Sequence, residues 1–543
     1  MVVSIVLDTE YMGVAERKKW FLKNVSEALD TNMLIITHEY MRNHICEIIE
    51  SCDGRFYDEF EMKKVSVESL SCLDICYLPD SIFDRIYEKQ DTRSRMLLEM
   101  YNKGNQCIER LIIQAIDNKL RKEGEQAPTC IFNCLHVFEF VRNVARHYEC
   151  PIVPYVFSAI RKVHGYTQTL YMAHLDDNLF HSNEARKMYA LWNKNEIGFK
   201  PFSKRELLAL LGKKHNFVLF PLMEAPPKYE VGVVGEGYHV TPELYQHYPV
   251  TDDDIFYECK RYYNGSIVCR IHPMQLDQIG IGRQHMKNDP AEFILSGKRI
   301  MTVQSQMIVK AMLWNRKVSI KGDALPYSFL ANSNIVNASV VEDIDLNFLL
   351  FGYFVPGKCM FNEKYWLWRK QKPDVNSIIM KHINVILNEN SMQDEVLFYD
   401  NEKRLRYILN KRGVCDFDIN RILHKSVDEI EYRFLSSKLR IKYKSGDFNE
   451  VYCLNRKDAE GNYVSEFIVN EGIISCEFCP QNDIDGLLKI KKVIINGNIR
   501  DVDEFEKYYP KNVYVYACSL CDITNLSGTN SIVFKWNGKY FGD

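Results

Sequence analysis

A chain of 543 residues is too long for one hydrophobic core, so we expect about three domains. The formal net charge of −3 excludes a surface built throughout to neutralise a phosphate backbone, so we expect no nucleic-acid partner. No run of about 18 apolar residues occurs, and the first apolar stretch lacks the basic flank of a signal peptide. We therefore expect a cytoplasmic protein with mostly free cysteine thiols, and peripheral association with the inner membrane stays open.

The first 200 residues alternate short apolar runs with stretches of helical periodicity. Strands are predicted at residues 2–7, 32–37, 129–133 and 151–157, and helices at 15–29, 112–120 and 137–147. Such alternation is typical of βαβ units built around a parallel sheet.

The same alternation begins again at Asn216. Residues 216–221 are predicted as a strand buried on both faces, because every residue after the asparagine is apolar. Further strands are predicted at 266–271, 300–303 and 318–320, and helices at 241–247, 252–263 and 304–315. We expect a second doubly wound sheet with ligand-binding loops at the carboxyl ends of its strands.

Beyond residue 360 the predicted secondary structure is first helical and then β-like. Residues 361–390 and 397–423 are helical in pattern, apart from Pro373. From about Glu429 the segments are short and β-like, separated by Gly, Asn and Asp, which predicts a β-sandwich. The predicted fold is therefore α/β, with Rossmann-like domains at 1–205 and 206–360 facing across a cleft, a helical bridging segment at 361–425 and a C-terminal β-sandwich at 426–543.

Polar groups follow three strands of the second predicted sheet. They are Arg270, His272 and Pro273 after the first, Gln304, Ser305 and Gln306 after the second, and Lys321 and Gly322 after the third. The second group also opens a predicted helix, whose unpaired N–H groups suit an anion. Ordinary N-caps produce the same turns in any α/β protein, but three at consecutive strand ends favour a phosphate site for a leaving nucleoside phosphate.

The stretch from Phe217 to Leu330 resembles the donor-binding half of bacterial capsule and O-antigen glycosyltransferases of the GT-B fold. The resemblance lies in the Arg-x-His-Pro element at 270–273, the Thr-Val-Gln-Ser-Gln turn at 302–306 and the Lys-Gly loop at 321–322. A His-Pro element followed by a serine-bearing turn is similar to that of bacterial sialyltransferases and Kdo transferases, which take CMP-sugars. The C-terminal β region looks like the accessory sandwiches of polysaccharide-synthesis transferases.

The resemblance implies a metal-independent glycosyltransferase without a resident cofactor. Residues 1–205 would bind a glycan or lipid-linked oligosaccharide acceptor, and residues 206–360 a CMP-sugar, with Kdo or a related ulosonic acid transferred to a surface polysaccharide. His272 would contact the donor phosphate, and Ser305 would hold phosphate or ribose. Three alternatives stay open: a UDP- or GDP-sugar donor, a non-catalytic carbohydrate-binding member of a polysaccharide assembly complex, and a nucleotide-sugar epimerase.

Attack on an anomeric carbon requires a carboxylate, either as base or as nucleophile. The sialyltransferase pattern of paired acids followed by glycine is absent, because Asp176-Asp177 lacks the glycine and Glu236-Gly237 lacks the pair. The catalytic candidates are Glu236, Asp177 and His272, with Glu224, Asp8, Glu10 and Asp176 as further acids. Glu236 ranks first because glycines flank it and it precedes the His-Pro strand.

Two cysteine pairs, Cys476-x-x-Cys479 and Cys518-x-x-Cys521, have the pattern of zinc-ribbon ligands. We do not expect zinc, because the gap between the pairs exceeds the roughly 15–20 residues of such sites. A strand would also place residues i and i+3 on opposite faces. Two Asp-x-Asp patterns are interpreted as a helix start at 252–254 and a solvated acidic loop at 343–345.

Overall fold

The computed structural model folds into two compact units. The first unit comprises Met1–Pro201, Tyr229–Met286 and Gly297–Asp394, and the second Phe202–Lys228, Lys287–Ser296 and Glu395–Asp543. The structure describes residues 1–7, 15–50, 62–90, 99–134, 137–175, 183–213, 217, 220–224, 226–235, 252–270, 284–285, 290–322, 325–414, 416–424, 436–443, 448–469, 473–480, 486–500, 505–509, 516–519 and 530–540.

The first unit contains two separate sheets. Its strands are β1 Val2–Val6, β2 Met33–His38, β3 Asp74–Leu78, β4 Ile131–Cys134, β5 Ile152–Phe157, β6 Leu170–Ala173, β7 Tyr229–Val234, β8 Ile267–Arg270, β9 Gln284–His285, β10 Gly297–Thr302, β11 Lys317–Ile320 and β12 Phe354–Pro356. Its helices are Ala15–Ala28, Glu39–Asn43, Ile45–Glu50, Val67–Leu70, Asp80–Gln90, Gln106–Glu123, Glu139–His147, Glu184–Leu191, Asp252–Tyr262, Ile308–Leu313, Asp343–Asn347, Gly357–Met360, Glu363–Lys370 and Val375–Glu389. Short 3-10 helices lie at Lys162–His164, Lys194–Glu196, Ser328–Leu330 and Ile335–Asn337.

The first sheet has the strand order β12-β6-β5-β4-β1-β2-β3. Strands β1 to β5 are parallel and follow the doubly wound order, which reverses direction between β1 and β4. Every residue of β1 and β2 is buried, as expected for strands covered by helices on both faces. Strand β6 runs antiparallel to β5, so the loop that joins them lies at the edge where the parallel strands end.

Helix Gln106–Glu123 packs on the first sheet, and its ends are set by its capping residues. The Asn105 side chain accepts hydrogen bonds from two backbone N–H groups of the first turn, and Gly124 ends the helix at φ +72°. Ile108, Ile112 and Ile116 recur at four-residue spacing and are all fully buried, so one face of the helix packs on the sheet.

The second sheet has the order β11-β10-β7-β8-β9, and all its strands are parallel. This is the same doubly wound order, with its reversal between β7 and β10. The strand predicted at residues 216–221 is wrong, because Phe220–Met223 forms a 3-10 helix in the other unit. The first strand is Tyr229–Val234. This strand is less apolar in sequence because it contains Glu230, which is half-buried. A continuous apolar run such as 217–221 also does not by itself distinguish a strand from a buried helical turn.

The chain returns from the second sheet to the first through β12. A π-helix, Phe348–Tyr353, precedes this strand, which pairs antiparallel with β6. The following helix, Glu363–Lys370, places Trp366 in the first core, where its ring lies edge-on to Phe132.

The second unit combines helices with two antiparallel sheets. Its helices are Lys204–Leu211, Pro290–Ser296, Asn401–Lys411 and Asp416–His424, and its strands are β13 Ser436–Tyr443, β14 Phe448–Leu454, β15 Arg456–Lys457, β16 Tyr463–Val469, β17 Ile473–Cys479, β18 Gly486–Ile495, β19 Asn498–Arg500, β20 Phe505–Tyr509, β21 Tyr516–Ser519 and β22 Asn530–Tyr540.

The two antiparallel sheets share one hydrophobic core. One sheet has the order β14-β13-β17-β21, and the other contains β15, β16, β22, β18, β19 and β20. Phe478 of the first sheet stacks on Phe534 of the second, with ring centroids 4.1 Å apart. The predicted fold class is therefore confirmed as α/β, with two Rossmann-like sheets and a C-terminal β-sandwich.

Candidate functional site

The carboxyl ends of β7 and β10 lie side by side where the strand order of the second sheet reverses. Val234 and Thr302 are register partners at these two ends. In doubly wound sheets, ligands bind in the crevice at this reversal. The candidate site is therefore built from the turn after β10 and the ends of the neighbouring strands.

Thr302 fixes the conformation of the turn. Its hydroxyl donates to the Val234 carbonyl oxygen at 2.9 Å and accepts from the Ser305 N–H at 2.9 Å. Its carbonyl oxygen accepts from the Lys321 N–H at 2.9 Å, which ties the end of β11 to the same point. The sequence analysis included Thr302 in the turn but not this role, although a threonine between a buried strand and a polar turn is a signal for a side-chain-stabilised turn.

The turn itself carries Gln304, Ser305 and Gln306. Ser305 is 9% exposed, and its hydroxyl oxygen accepts from the Met307 N–H at 3.5 Å. The Gln306 Oε1 atom is buried and has no hydrogen-bond partner among the described residues. Gln304 is half-buried.

The helix predicted to open at Gln304 begins at Ile308 and has six residues. The Ser305 N–H, near the predicted helix start, donates to the Thr302 hydroxyl oxygen and is therefore not available to an anion. The arrangement therefore offers side-chain hydroxyl, amide and cationic groups to a phosphate, and not the start of a long helix.

Two cations lie at the ends of other strands of this sheet: Lys321 after β11, which neighbours β10, and Arg270 at the end of β8, which is two strands from β10. Arg270 is the last residue of β8, and its carbonyl oxygen accepts from the Gly235 N–H at 2.9 Å. Lys321 follows β11 and lies 3.0 Å from the Glu258 carboxylate. Gly322 has φ +93°, a left-handed conformation that glycine adopts without strain. The structure thus brings Arg270, Ser305 and Lys321 to one edge of the sheet.

The predicted catalytic groups divide between residues outside the described ranges and one residue of the second unit. His272, Pro273, Glu236 and Asp177 lie outside the described residues, as do Asp8, Glu10 and Asp176. Glu224 belongs to the second unit, is largely exposed and pairs with Arg205. Since it follows a 3-10 helix and not a strand of the second sheet, we withdraw it as a catalytic candidate.

The two sheets of the first unit are in contact near this site. Lys310, in the helix after β10, places its ammonium group 5.9 Å from the centre of the Tyr166 ring, in the loop after β5. Tyr327, which follows β11, lies edge-on to Phe354 of β12. A loop at the carboxyl edge of the first sheet therefore adjoins the helix beside the candidate site.

An acid–base pair that the sequence did not reveal lies at the ends of β2 and β3. His38 Nδ1 is 3.9 Å from Asp80 Oδ1, and burial raises the pKa of Asp80. His38 has no exposed surface and its ring lies edge-on to Phe83. A fully buried imidazole cannot reach a substrate, so we interpret this pair as part of the core.

The possible metal ligands pack in structural roles. Asp345 accepts from the Tyr189 hydroxyl at 2.6 Å and pairs with Lys194, so the 343–345 segment begins a helix and is not the predicted solvated loop. Asp253 is exposed at a helix start, as predicted.

Cys476 and Cys479 are both buried. Cys476 belongs to the core between the two sheets together with Phe478, whereas Cys479 is not part of that core, as expected for residues i and i+3 of a strand. Cys476 lies opposite Cys518 in the register of β17 and β21. In the part of the chain that the structure describes, no cluster of three or more His, Cys, Asp or Glu side chains is placed to hold a metal.

Comparisons with known proteins give remote structural similarity alone. No family model matches the sequence, and no curated protein matches it. A Thermosulfurimonas dismutans KpsC structure, described as a β-Kdo 2,4-transferase, aligns with 44% of this chain and 87% of its own at 12% identity and a TM-score of 0.31. The UDP-GlcNAc 2-epimerase of Methanocaldococcus jannaschii aligns with 75% of this chain and 98% of its own at 14% identity and a TM-score of 0.27. At these values the matches do not assign an activity.

Among the described helices, none is both long and apolar enough to span a bilayer.

Proposed function

We propose that this chain is a glycosyltransferase that takes a nucleotide-sugar at the second sheet and an acceptor at the first. One observation carries the proposal: the Lys310–Tyr166 contact brings the loop after β5 to the helix after β10. In doubly wound sheets both of these positions are ligand-binding edges. A donor bound at one edge and an acceptor at the other would be held near each other, which is what group transfer requires.

We propose a CMP-sugar as donor, with Kdo or a related ulosonic acid as the transferred group and a cell-surface polysaccharide as the product. Support comes from the Arg-x-His-Pro element followed by the Ser305 turn, which resembles that of transferases using CMP-sugars. The reaction would take place in the cytoplasm, on a glycan or lipid-linked oligosaccharide. It would need no metal, because cationic side chains stand at the strand ends.

Each residue has a chemical task in this proposal. Arg270 and Ser305 would hold the nucleotide phosphate through charge-assisted and hydroxyl hydrogen bonds. His272 would donate to the phosphate oxygen whose charge grows as the glycosidic bond breaks, and Glu236, or Asp177, would act as the base. Since a preorganised donor of this kind is worth about 3–4 kcal/mol, His272→Ala should lower kcat roughly a hundredfold or more.

The test incubates the protein in EDTA with CMP-Kdo, CMP-sialic acid, UDP-GlcNAc or a GDP-sugar, each with and without an acceptor glycan. We expect acceptor-dependent release of CMP. Turnover of UDP-GlcNAc without acceptor would instead establish a nucleotide-sugar epimerase, and no turnover of any donor would favour the non-catalytic scaffold. A strict requirement for Mg²⁺ or Mn²⁺ would contradict metal-independent transfer.

A further inference from the structure

The loop between β5 and β6, residues 158–169 (the β5–β6 loop), concentrates positive charge. It contains Arg161, Lys162 and His164 and no acidic residue. Strand β6 runs antiparallel to β5, so this loop lies at the carboxyl edge of the parallel strands. Its cations therefore occupy the edge of the first sheet where ligands bind.

Backbone hydrogen bonds hold the β5–β6 loop in one conformation. The Ser158 N–H donates to the Leu170 carbonyl oxygen at 2.9 Å, and the Leu170 N–H donates to that of Ile160 at 3.0 Å. The Lys162 N–H donates to the Thr169 hydroxyl oxygen at 3.4 Å. The loop is thus a fixed turn, which lowers the entropy lost when a ligand binds.

Two further lysines approach the same loop. Lys310 comes from the second sheet and lies over the Tyr166 ring. Lys358 follows β12, and the adjacent Gly357 N–H donates to the Thr169 carbonyl oxygen at 3.1 Å. The Glu389 carboxylate, 3.4 Å from Lys358, balances one of these charges. Glu389 also attracts Lys162, and among the described groups named here the cations outnumber this one acid.

Gln168 provides an independent sign of a missing ligand. It lies in the same loop and is 5% exposed, and within the described part of the chain neither its amide nitrogen nor its amide oxygen has a hydrogen-bond partner. A buried polar group left unpaired costs about 1–3 kcal/mol. An amide can donate to an anionic oxygen and accept from a hydroxyl at the same time.

We propose that the β5–β6 loop, with Gln168 and Lys310, binds an anionic group of the acceptor. This group is either the carboxylate of an acidic sugar or the phosphate of a lipid-linked carrier. Describing the ligand as the acceptor rests on the proposed glycosyltransferase function, whereas the anion site itself rests on the loop.

Direct titration of the full chain, without nucleotide, tests the site. The probes are methyl glucuronide, methyl phosphate and the neutral methyl glucoside, followed by ligand-observed NMR. We expect one of the two anions to bind at least tenfold more tightly than the glucoside, and the tighter one identifies the source. Equal binding of all three probes would overturn the proposal.

Lys162→Gln should weaken binding of the preferred anion about tenfold. The matched control is Lys364→Gln, which removes an exposed lysine from helix Glu363–Lys370 and should leave binding unchanged. Equal effects of the two variants would contradict the site. A Lys162→Gln variant that loses affinity for CMP and keeps affinity for the anion would also overturn it, since the lysine would then serve the donor.

Gln168→Met separates a binding role from a structural one. It replaces an unpaired buried amide by an apolar side chain of similar size, so we expect an equal or higher melting temperature together with weaker anion binding. A lower melting temperature with unchanged anion binding would show that the amide serves the fold. Anion binding without sugar transfer would contradict the proposed function and support this site. Sugar transfer without anion binding would support the function and contradict the site.

Discussion

Among single residues, the buried Glu206–Arg404 ion pair should contribute strongly to the stability of the second unit. Both side chains have no exposed surface, and the guanidinium donates to the two carboxylate oxygens at 2.8 and 3.0 Å. The Ser203 hydroxyl and N–H also donate to Glu206, which completes a capping box on helix Lys204–Leu211. The pair therefore joins two helices that are almost two hundred residues apart in sequence.

Removing one partner of this pair should be costly. Arg404→Ala leaves a buried carboxylate uncompensated, and we expect a loss of about 3–5 kcal/mol in the free energy of unfolding, measured by urea denaturation. The control on the same helix is Arg406→Ala, whose exposed pair with Glu402 should contribute less than about 1 kcal/mol. Similar losses for the two variants would show that the buried pair is not a special stabilising contact.

His382 should make the first unit sensitive to acid. Burial, with the nearby Arg369 charge, lowers its pKa to about 3, and its ring bridges the Tyr365 hydroxyl and the Phe351 carbonyl oxygen. In the unfolded chain a histidine titrates near pKa 6.5, so as pH falls the unfolded state takes up the proton first. Stability linked to His382 is therefore present above about pH 6.5 and is lost on descending toward pH 3.

The variant that tests this is His382→Gln. It should be less stable than the parent at pH 7, because it loses the ring's paired hydrogen bonds. The difference between the two proteins should shrink as pH falls from 7 to 4, by at most about 1.4 kcal/mol per pH unit. Urea denaturation at each pH measures it, and a constant difference would contradict the assigned pKa.

The sequence predicted the strand-end position of some residues of the candidate site and not of others. Arg270, Ser305 and Lys321 were predictable because each follows an apolar run, and polar residues after buried strands lie at the ligand edge. The role of Thr302 was not, since its hydroxyl joins two strands 68 residues apart. The unpaired amide of Gln168 was also not predictable, because hydrogen-bond partners depend on which residues lie nearby in the folded chain.

At the scale of elements, the first strand of the second sheet was misplaced. An apolar run suits either a central strand or a buried helical turn, and tertiary packing made residues 220–223 helical. Strand β12 was also not predicted, because three residues are too few to show the alternation of apolar and polar side chains that identifies a strand. The alternation of strands and helices was correct, since it repeats over many residues.

Gly297 tests the corrected strand. A Cβ placed there would lie 2.8 Å from the Tyr229 ring, because β10 and β7 are paired at this point. Gly297→Val should therefore lower the free energy of unfolding by about 1–3 kcal/mol. Gly198→Ala, where nothing lies within 4 Å, should be close to neutral.

Thermal unfolding followed by circular dichroism compares the two glycine variants. Equal melting temperatures would mean that Tyr229 does not lie against Gly297, and the strand assignment would fail.

At the scale of the whole molecule, the second unit is assembled from three separate stretches of sequence. Helix Lys204–Leu211 comes from the middle of the chain, and its partner Asn401–Lys411 from far beyond the second sheet. Composition along the chain reveals the change to β structure near residue 430. It does not reveal which distant helices pack together, because that depends on a few buried contacts such as Glu206–Arg404.

Two truncations use this organisation. A chain ending at residue 424 lacks the β-sandwich and keeps Arg404, so it should stay folded and bind CMP as the full chain does. A chain ending at residue 394 also loses helix Asn401–Lys411, which separates Glu206 from Arg404 and uncovers the apolar residues of helix Lys204–Leu211, so it should aggregate. Soluble yield and circular dichroism distinguish them. An insoluble 424-residue chain would show that the sandwich is required for folding.

A nucleotide bound at the strand-order reversal of the second sheet should protect the backbone around it from exchange with solvent. Hydrogen–deuterium exchange of the full chain, with and without saturating CMP, tests it most directly. We expect the strongest protection in residues 302–308 and 320–322, because the Thr302 turn and the end of β11 would surround the phosphate. Protection confined to other segments, or none at saturating CMP, would contradict the claim.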